Sequence, residues 1–290
     1  MQHSPVSRAV ENTPEIESVG TEVKNNVRNL IMQNGATRHA ADLLHGTWLG
    51  HPLHPLLTDM TVGSWTLSTL FDVLGLLGSD DDFAHKAADT LVNLGLVAAV
   101  PTILSGLADY SAIKRDAVKT GIVHGMANGT AFVMFLFSMW ARKGKNRALA
   151  ILFSLVGLAF MTLGAYLGGD LAYRKKVGVN HAESVERPAA WLDVMPAENL
   201  PPGQKARVEV AGYPVLLYRH DDIIHAIGAV CSHAGGPLEQ GMISEDCVTC
   251  PWHASVFDLR DGSIVHGPAV YPQPDYHARI HEGSIQIMSA

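Results

Sequence analysis

The sequence has few charged residues and few cysteines, and both shortages limit what the protein can be. Charged residues make up 17% of the 290 residues and apolar residues 47%, whereas soluble globular proteins usually carry about 25% charged residues. Three cysteines are too few for a disulfide framework. The net charge of −7, without a large basic patch, argues against binding of nucleic acid. The composition therefore predicts a protein with a membrane part and no nucleic-acid partner.

The N-terminus lacks the features of a secretory signal. Residues 1–18 are polar and acidic, with no basic start, apolar core or small-residue cleavage site. The sequence also has no twin-arginine pair there. We therefore expect membrane insertion to depend on internal segments.

Four long apolar runs lie between residues 56 and 169. They cover 56–78, 90–108, 121–140 and 148–169. Each has about 20 residues, the length that a helix needs to cross the hydrocarbon core of a bilayer. The runs also lack the polar face that a soluble helix keeps. Because the connections are short, they predict an antiparallel four-helix transmembrane bundle, in which Asp72 is expected to tie helices together.

The distribution of lysine and arginine predicts the orientation of these spans. Basic residues are more frequent on the side of both termini than on the opposite side, which places both termini in the cytoplasm. We expect a multi-pass protein in the lipid bilayer, which would be the inner (cytoplasmic) membrane if the protein is bacterial. Residues 25–46 are interpreted as an amphipathic helix at the membrane interface.

From about residue 189 the pattern changes to that of a small antiparallel all-β domain. Runs rich in β-branched residues at 207–210, 214–218 and 223–227 predict strands. Residues 278–280 and 284–288 predict a final hairpin around Glu282-Gly283. The predicted organisation is an N-terminal cytoplasmic or interfacial segment (1–47), a transmembrane domain (48–180), a linker (181–188) and a β domain (189–290).

Two pairs of cysteine and histidine lie in the β domain. Cys231 and His233 form a C-x-H pair, and after sixteen intervening residues Cys250 and His253 form a C-x-x-H pair. Thiolate and imidazole are suitable ligands for iron–sulfur clusters and for zinc, although classical zinc spacing does not use C-x-H. This pattern resembles the Rieske ferredoxin family over residues 190–290. The resemblance implies a [2Fe–2S] cluster with both cysteines on one iron and both histidines on the other.

Flanking residues extend the resemblance and indicate a subtype. The residues expected around the cluster are Gly236, Pro251, Trp252, Ser255 and Pro268. Respiratory-complex Rieske proteins join their ligand loops by a disulfide, and Gly236 and Trp252 occupy the matching positions here. The chain is therefore more similar to Rieske ferredoxins and oxygenase-associated domains.

Other residues near the ligand pairs bear on the reduction potential. Ser255 stands where high-potential members of the family place a hydroxyl that donates to a cluster sulfide, but Phe257 replaces the accompanying tyrosine. Fewer donors lower the reduction potential, so we expect an intermediate to low value. The third cysteine, Cys247, is expected to be a buried small residue in a strand.

The membrane half resembles an uncharacterised family of four-helix membrane domains over residues 40–180. The matching motifs are LGHPLHP at 49–55 and GGDLAY at 168–173. Six polar residues are predicted to form one layer at membrane depth, where such groups are costly and commonly functional. They are His51, His54, Asp59, His124, Asn128 and Asp170. Three interpretations stay open: haem b bound by His54 and His124, a quinone head group, or purely structural capping and pairing.

These features together predict a membrane-anchored electron-transfer protein with its Rieske-type domain in the cytoplasm. Its cluster would carry single electrons between a soluble redox partner and a membrane donor or acceptor, which could be haem, quinone or another protein. The alternatives are the electron-delivery component of an oxygenase system and a membrane redox sensor. We expect no substrate-transforming site in the chain itself, because no second iron-binding domain follows His253.

Overall fold

The computed structural model describes residues 5–78, 81–182 and 188–290. The helices are α1 (Pro5–Glu11), α2 (Glu15–Ile31), α3 (Gly35–His45), α4 (Leu53–Leu76), α5 (Asp81–Ser111), α6 (Val118–Lys143) and α7 (Arg147–Gly169). The strands are β1 (Leu192–Pro196), β2 (Lys205–Val210), β3 (Tyr213–His220), β4 (Ile223–Gly228), β5 (Met242–Ser244), β6 (Cys247–Thr249), β7 (Val256–Asp258), β8 (Ile264–His266), β9 (Asp275–His281) and β10 (Ser284–Ser289). The chain divides into two compact units. Most of the predicted linker 181–188 lies outside the described residues.

The first unit is helical and comprises Leu53–Val177 together with the chain up to Gln33. Helices α4, α5, α6 and α7 pack in sequence order, and α7 also packs against α4. In the core, Trp65 of α4 stacks on Phe135 of α6 with ring centroids 4.3 Å apart. Helix α2 packs against α5 and α6. The long apolar helices therefore share one core.

Three helical segments are long and apolar enough to cross a membrane. They are Asp82–Ser111, Arg115–Lys143 and Arg147–Arg174. The last three predicted apolar runs lie within them, so those runs are confirmed as long apolar helices. The first run, 56–78, lies mostly in α4, which is not among the candidate spans found in the described residues. A fourth span is therefore not established by length and composition, because α4 carries Asp59, Asp72 and several hydroxyl residues.

Helix α4 has the reverse of a soluble helix's pattern. Its buried positions are small or polar, apart from Trp65: Thr61, Ser64, Trp65, Ser68, Thr69, Asp72 and Gly75. Its exposed large side chains are apolar: Leu56, Met60, Val62, Leu67, Leu70, Val73 and Leu76. The inward hydroxyl groups bond within the unit; for example, Ser68 Oγ donates to the carbonyl of Ala88 on α5 at 2.9 Å. Small and hydroxyl residues at helix contacts are typical of membrane bundles.

The predicted interfacial helix over 25–46 is wrong as a single helix, because Asn34 divides it. Asn34 adopts an extended conformation and caps α3, accepting a hydrogen bond from the Thr37 amide at 3.0 Å. Helix α3 ends at Gly46, whose φ of 87° suits glycine. The segment Asn34–Pro52, which includes α3, belongs to the second unit. The predicted 1–47 segment is thus divided between the two units.

The second unit, referred to as the β unit, also contains Gly178–Ala290 and is built on two antiparallel sheets. One has six strands in the order β1-β10-β9-β4-β3-β2, and the other has four in the order β5-β6-β7-β8. The predicted strands lie within β2, β3 and β4, and the predicted final hairpin is β9–β10, with Ile285 opposite Ile280. Leu216, Ile227, Val248 and Phe257 form a core that also includes two cysteines, Cys231 and Cys250.

Candidate functional site

The first Cys/His pair lies on a tight loop that follows β4. The Cys231 amide donates to the carbonyl of Gly236 at 2.8 Å, and the Gly235 amide donates to the carbonyl of Cys231 at 2.8 Å. Gly235 has a φ of 82°, which favours glycine. These bonds close the loop between Cys231 and Gly236 and set the direction of both donor side chains.

The second pair lies on a loop between β6 and β7 that is closed in a similar way. The Cys250 amide donates to the carbonyl of Ser255 at 2.8 Å, and the Ala254 amide donates to the carbonyl of Cys250 at 3.1 Å. Ala254 has a φ of 64°, an uncommon conformation for a residue other than glycine. Because each loop starts at a sheet strand, the rigid β framework positions both pairs.

The structure brings the four predicted ligands together. The side chains of Cys231 and Cys250 are both buried, and the two thiols lie close enough for each to shift the pKa of the other. The rings of His233 and His253 lie edge to face with centroids 5.0 Å apart, and the Nδ1 atom of each ring is buried. Two thiols and two imidazoles therefore converge from two loops.

The surroundings of the two thiols favour negative charge on the sulfur of Cys250. The hydrogen bond from Cys231 and those from the backbone amides of Trp252 and His253 lower the pKa of the Cys250 thiol to about 6, despite burial. The hydrogen bond with Cys250 and burial raise the pKa of Cys231 well above its usual value. Backbone N–H groups aimed at sulfur are the donors that stabilise a thiolate bound to a metal. The donor set thus fits a [2Fe–2S] cluster with two cysteine and two histidine ligands.

The residues predicted around the cluster are all on or beside these loops. Pro251 and Trp252 are exposed on the second loop, and Gly236 is buried on the first. Ser255 is fully buried, and its hydroxyl oxygen accepts a hydrogen bond from the Ala269 amide at 3.1 Å. Pro268 is half-buried beside Ala269. Ser255 therefore joins the second loop to the segment Gly267-Pro268-Ala269, referred to as the proline loop.

Cys247 differs from its prediction in burial. It lies in β6, as expected for a strand residue, and pairs with Asp258 of β7. The side chain is only half-buried. The neighbouring Val248 points into the core, and because side chains alternate along a strand, Cys247 lies on the opposite face.

Two residues of helix α3 make contacts at the site that the sequence analysis missed. The Arg38 guanidinium donates to the carbonyl of Ala254, next to His253, at 3.0 Å. Asp42 accepts two hydrogen bonds, from the Gly267 amide and from His266 Nδ1, each at 2.8 Å. One helix therefore holds both the second ligand loop and the proline loop. The capping sequence at Asn34 could have indicated this helix, but no sequence pattern indicated its partners.

The six polar residues predicted in the membrane half do not form one cluster. His54 Nδ1 bonds with the carbonyl of Thr102 at 2.9 Å, and His124 Nδ1 bonds with the carbonyl of Gly164 at 2.8 Å. These two rings lie edge to face with centroids 6.2 Å apart. The Asn128 amide donates to the carbonyl of His124 at 3.0 Å. His54, His124 and Asn128 thus come together.

The other three residues have different surroundings. Asp59 is exposed on α4, and Asp170 pairs with Arg174 one turn further along the chain at 2.6 Å. His51 Nδ1 bonds with the carbonyl of its neighbour Pro52 at 2.8 Å and belongs to the second unit. Helical periodicity alone did not separate the inward-facing from the outward-facing positions.

Glycines allow close packing around the two membrane histidines. A Cβ atom added at Gly106 would lie 2.8 Å from His54 Cε1, and one added at Gly168 would lie 3.2 Å from His124 Cε1. Each imidazole therefore lies directly on the backbone of a neighbouring helix. This arrangement favours the structural interpretation of the layer, in which side chains bond to backbone carbonyls across helix contacts.

Comparison with known proteins identifies both halves of the chain. Residues 190–277 match the Rieske [2Fe-2S] domain, and residues 50–181 match a family described as predicted membrane protein (DUF2231). The chain is 33% identical over 79 residues to the anthranilate 1,2-dioxygenase ferredoxin subunit of Burkholderia cepacia, which corresponds to 27% of this chain and 73% of that protein. It is 30% identical over 93 residues to Apoptosis-inducing factor 3 of Mus musculus, covering 32% of this chain and 15% of that protein.

A solved structure is also similar to part of the chain. The ferredoxin of carbazole 1,9a-dioxygenase from Nocardioides aromaticivorans IC177 is 29% identical, with a TM-score of 0.33, covering 35% of this chain and 99% of that one. The Rieske match implies a [2Fe–2S] cluster, whereas haem and quinone have no support from the family matches. The chain belongs to the Rieske [2Fe–2S] family through residues 190–277, and a domain of the predicted membrane protein family DUF2231 precedes them at residues 50–181.

Proposed function

We propose that Cys231, His233, Cys250 and His253 hold a [2Fe–2S] cluster and that the protein is a membrane-anchored carrier of single electrons. The observation that carries this proposal is the convergence of two thiols and two imidazoles from two loops of a Rieske fold. When bound, the cluster supplies one-electron oxidation and reduction. No further substrate-transforming site is needed for this function.

The protein's own groups would bind and tune the cluster. The two thiolates provide negative ligands, and the amides of Trp252 and His253 point hydrogen-bond donors at Cys250. His233 and His253 are only half-buried, and the adjacent Pro251 and Trp252 are exposed. The histidine side of the site is therefore the natural route for electron exchange with a partner.

The membrane anchor is proposed to be the bundle formed by α4, α5, α6 and α7. Helix α4 has 24 residues, which at 1.5 Å per residue gives about 36 Å, enough to cross a bilayer. Its apolar side chains point outward, as lipid contact requires, although polar residues lower its mean hydropathy. Four spans with both termini in the cytoplasm would make this a multi-pass protein with a cytoplasmic Rieske domain. Residues 48–180 and 189–290 would be its two domains.

A second candidate function is electron delivery to an oxygenase. It is favoured by the similarity to a protein named as a dioxygenase ferredoxin subunit, of which this chain covers 73%. In that case the acceptor is a soluble oxygenase. In the leading proposal the partners are a soluble redox protein and a donor or acceptor in the membrane.

Cys247, the third cysteine of the chain, provides a control for a test of the cluster ligands. We expect Cys250→Ser to abolish the visible absorption and the electron paramagnetic resonance signal of the purified, dithionite-reduced protein. Cys247→Ser, three residues away on β6, should keep both signals. Cys247 lies on the strand face that points away from the core containing Cys231 and Cys250. Far-UV circular dichroism would show that both variants fold. Bound zinc in place of iron and sulfide, or equal loss in both variants, would contradict the proposal.

The partner class is tested by electron transfer from the reduced protein. The protein in lipid vesicles is mixed either with a purified Rieske dioxygenase or with vesicle-embedded quinone, and reoxidation of the cluster is followed optically. Faster reoxidation by the dioxygenase would support the second candidate function. Faster reoxidation by the quinone would support the leading one.

A further inference from the structure

A group of potential metal ligands lies on the β unit, separate from the four proposed cluster ligands. It consists of His39 and Asp42 of α3 and His266 of β8, whose ligand atoms all lie within 4.8 Å of one another. His39 and Asp42 are three residues apart on a helix, so their side chains share one face. The group therefore joins α3 to the strand that leads into the proline loop.

The distances within the group suit a small divalent cation. Asp42 Oδ2 lies 2.8 Å from His266 Nδ1 and 3.8 Å from His39 Nδ1. A tetrahedral zinc site with bonds of 2.0–2.1 Å has ligand atoms about 3.3 Å apart, which lies between these two values. The rings of His39 and His266 have centroids 5.3 Å apart, so small rotations of both rings would bring all three atoms to one ion.

The surroundings of Asp42 also resemble those of a metal ligand. Its other oxygen, Oδ1, accepts the hydrogen bond from the Gly267 amide at 2.8 Å. Carboxylates that bind metals are commonly oriented by such outer hydrogen bonds. The side chains of Asp42 and His266 are mostly shielded, with 14% and 21% exposed, whereas that of His39 is 72% exposed. The group is therefore fixed on one side and open to solvent on the other.

We propose that His39, Asp42 and His266 bind a divalent transition metal such as Zn²⁺, with water in the remaining position. Two imidazoles and one carboxylate form a known zinc ligand set with an open position. The bound metal would hold α3 against β8 and thereby fix the Gly267 end of the proline loop. Its role is to stabilise the β unit, and it does not depend on the proposed electron-transfer function.

A second group of the same composition, formed by His220, His225 and Asp246, is a poorer candidate. Its His220 and Asp246 are only 26 positions apart in the chain, whereas Asp42 and His266 are 224 positions apart. A metal that closes a longer loop contributes more stabilisation, so the group at α3 is the better candidate.

The test uses the full-length protein in detergent with its iron–sulfur cluster in place. Weakly bound metal is removed with a mild chelator, Zn²⁺ is titrated by calorimetry, and retained zinc is measured after desalting. We expect the wild type to bind Zn²⁺ at this site and His39→Ala to weaken the affinity by at least about tenfold, since even loss of an outer hydrogen bond to a metal ligand costs that much. Asp42→Asn should weaken binding as well.

The control is His281→Ala, which removes another exposed histidine of the same unit at the end of β9. It should bind Zn²⁺ like the wild type. Because His39 is mostly exposed and its Nδ1 lies 3.8 Å from Asp42, its replacement leaves the Asp42–His266 and Asp42–Gly267 hydrogen bonds in place. The cluster absorption should be unchanged in His39→Ala and His281→Ala, so loss of zinc is distinguishable from loss of the cluster. Zinc binding by His39→Ala equal to that of the wild type, or equal weakening in His281→Ala, would overturn the proposal.

Discussion

Trp252 lies directly against the α-carbon of Gly236, the residue opposite it on the other ligand loop. A Cβ atom added at Gly236 would lie 3.2 Å from Trp252 Cγ and 2.8 Å from Cys250 Sγ. The respiratory-complex type of disulfide would join these two positions. Here, the contact between an indole ring and a glycine takes its place, so the two loops are held together by packing.

This contact predicts that Gly236→Ala will reduce cluster content. The added methyl group would displace either the Cys250 sulfur or the Trp252 ring, and overpacking of this kind costs about 1–3 kcal/mol. The iron and acid-labile sulfide content of the purified variant measures the effect. Gly35→Ala is the matched control, since an added Cβ there meets nothing within 4 Å. Full cluster content in Gly236→Ala would show that the loops can separate without loss of binding.

Ser255→Ala is predicted to lower both stability and reduction potential. The Ala269 amide would lose its acceptor, and a buried unsatisfied donor costs about 1–3 kcal/mol. The Ser255 hydroxyl oxygen accepts the hydrogen bond from the Ala269 amide, so its proton is left to donate toward the proposed cluster. Hydrogen-bond donors to a cluster raise its reduction potential. Denaturant unfolding and a redox titration measure the two effects. The exposed Ser244→Ala should change neither, and an unchanged potential in Ser255→Ala would remove the hydroxyl as a tuning group.

Asp258 predicts a specific pH dependence of stability. The hydrogen bond from the Arg260 side chain holds the pKa of this carboxyl below its usual value. The folded pKa therefore lies below the unfolded value of about 3.9, so the stabilisation is present above that pH and is lost as the pH falls through the folded pKa. The wild type should exceed Asp258→Asn in free energy of unfolding at pH 6, and the difference should shrink below about pH 4.

Denaturant unfolding of both proteins between pH 6 and pH 2.5 tests this dependence. Asp222→Asn, at a fully exposed carboxylate, should run parallel to the wild type over the same range. A difference between the wild type and Asp258→Asn that stays constant with pH would contradict the assigned role of the carboxylate.

In the helical unit, Asp72 is predicted to be the most sensitive acidic residue. Asp72 is fully buried and contacts both Arg142 and Arg147. Asp89 also pairs with these arginines, at 2.7 Å from Arg142 and 2.6 Å from Arg147. This confirms the expectation that Asp72 ties helices together. Removing one partner of a buried ion pair costs about 3–5 kcal/mol, and Arg142 would keep only the half-buried Asp89 as a partner.

We therefore expect Asp72→Asn to lower the thermal unfolding midpoint in detergent far more than Asp82→Asn does. Asp82 pairs with Lys86 at 2.6 Å, but both side chains are largely exposed, and such pairs contribute about 1 kcal/mol or less. Similar midpoints for the two variants would show that the buried pair is replaceable by neutral hydrogen bonds.

The sequence alone determined the elements that depend on local pattern. Apolar runs of helix length predicted the long helices. Runs of β-branched residues and turn residues predicted β2, β3, β4 and the final hairpin. The spacing of the two Cys/His pairs predicted four residues that the fold brings together. These predictions succeed because hydrophobic periodicity and ligand spacing are properties of neighbouring residues. The burial of Cys247 was misjudged, and only His54, His124 and Asn128 of the six polar residues come together, since both outcomes depend on which face packs inward.

Only the tertiary structure decided what surrounds the site. Asp42 meets His266 and Gly267 across 224 and 225 positions of the chain, and Arg38 meets Ala254 across 216. No local pattern encodes such pairs, because they form only when a helix and two loops are placed by packing of a whole unit. The sequence determined which residues could bind a cluster, and the packing of α3 on the β unit decided how their loops are held.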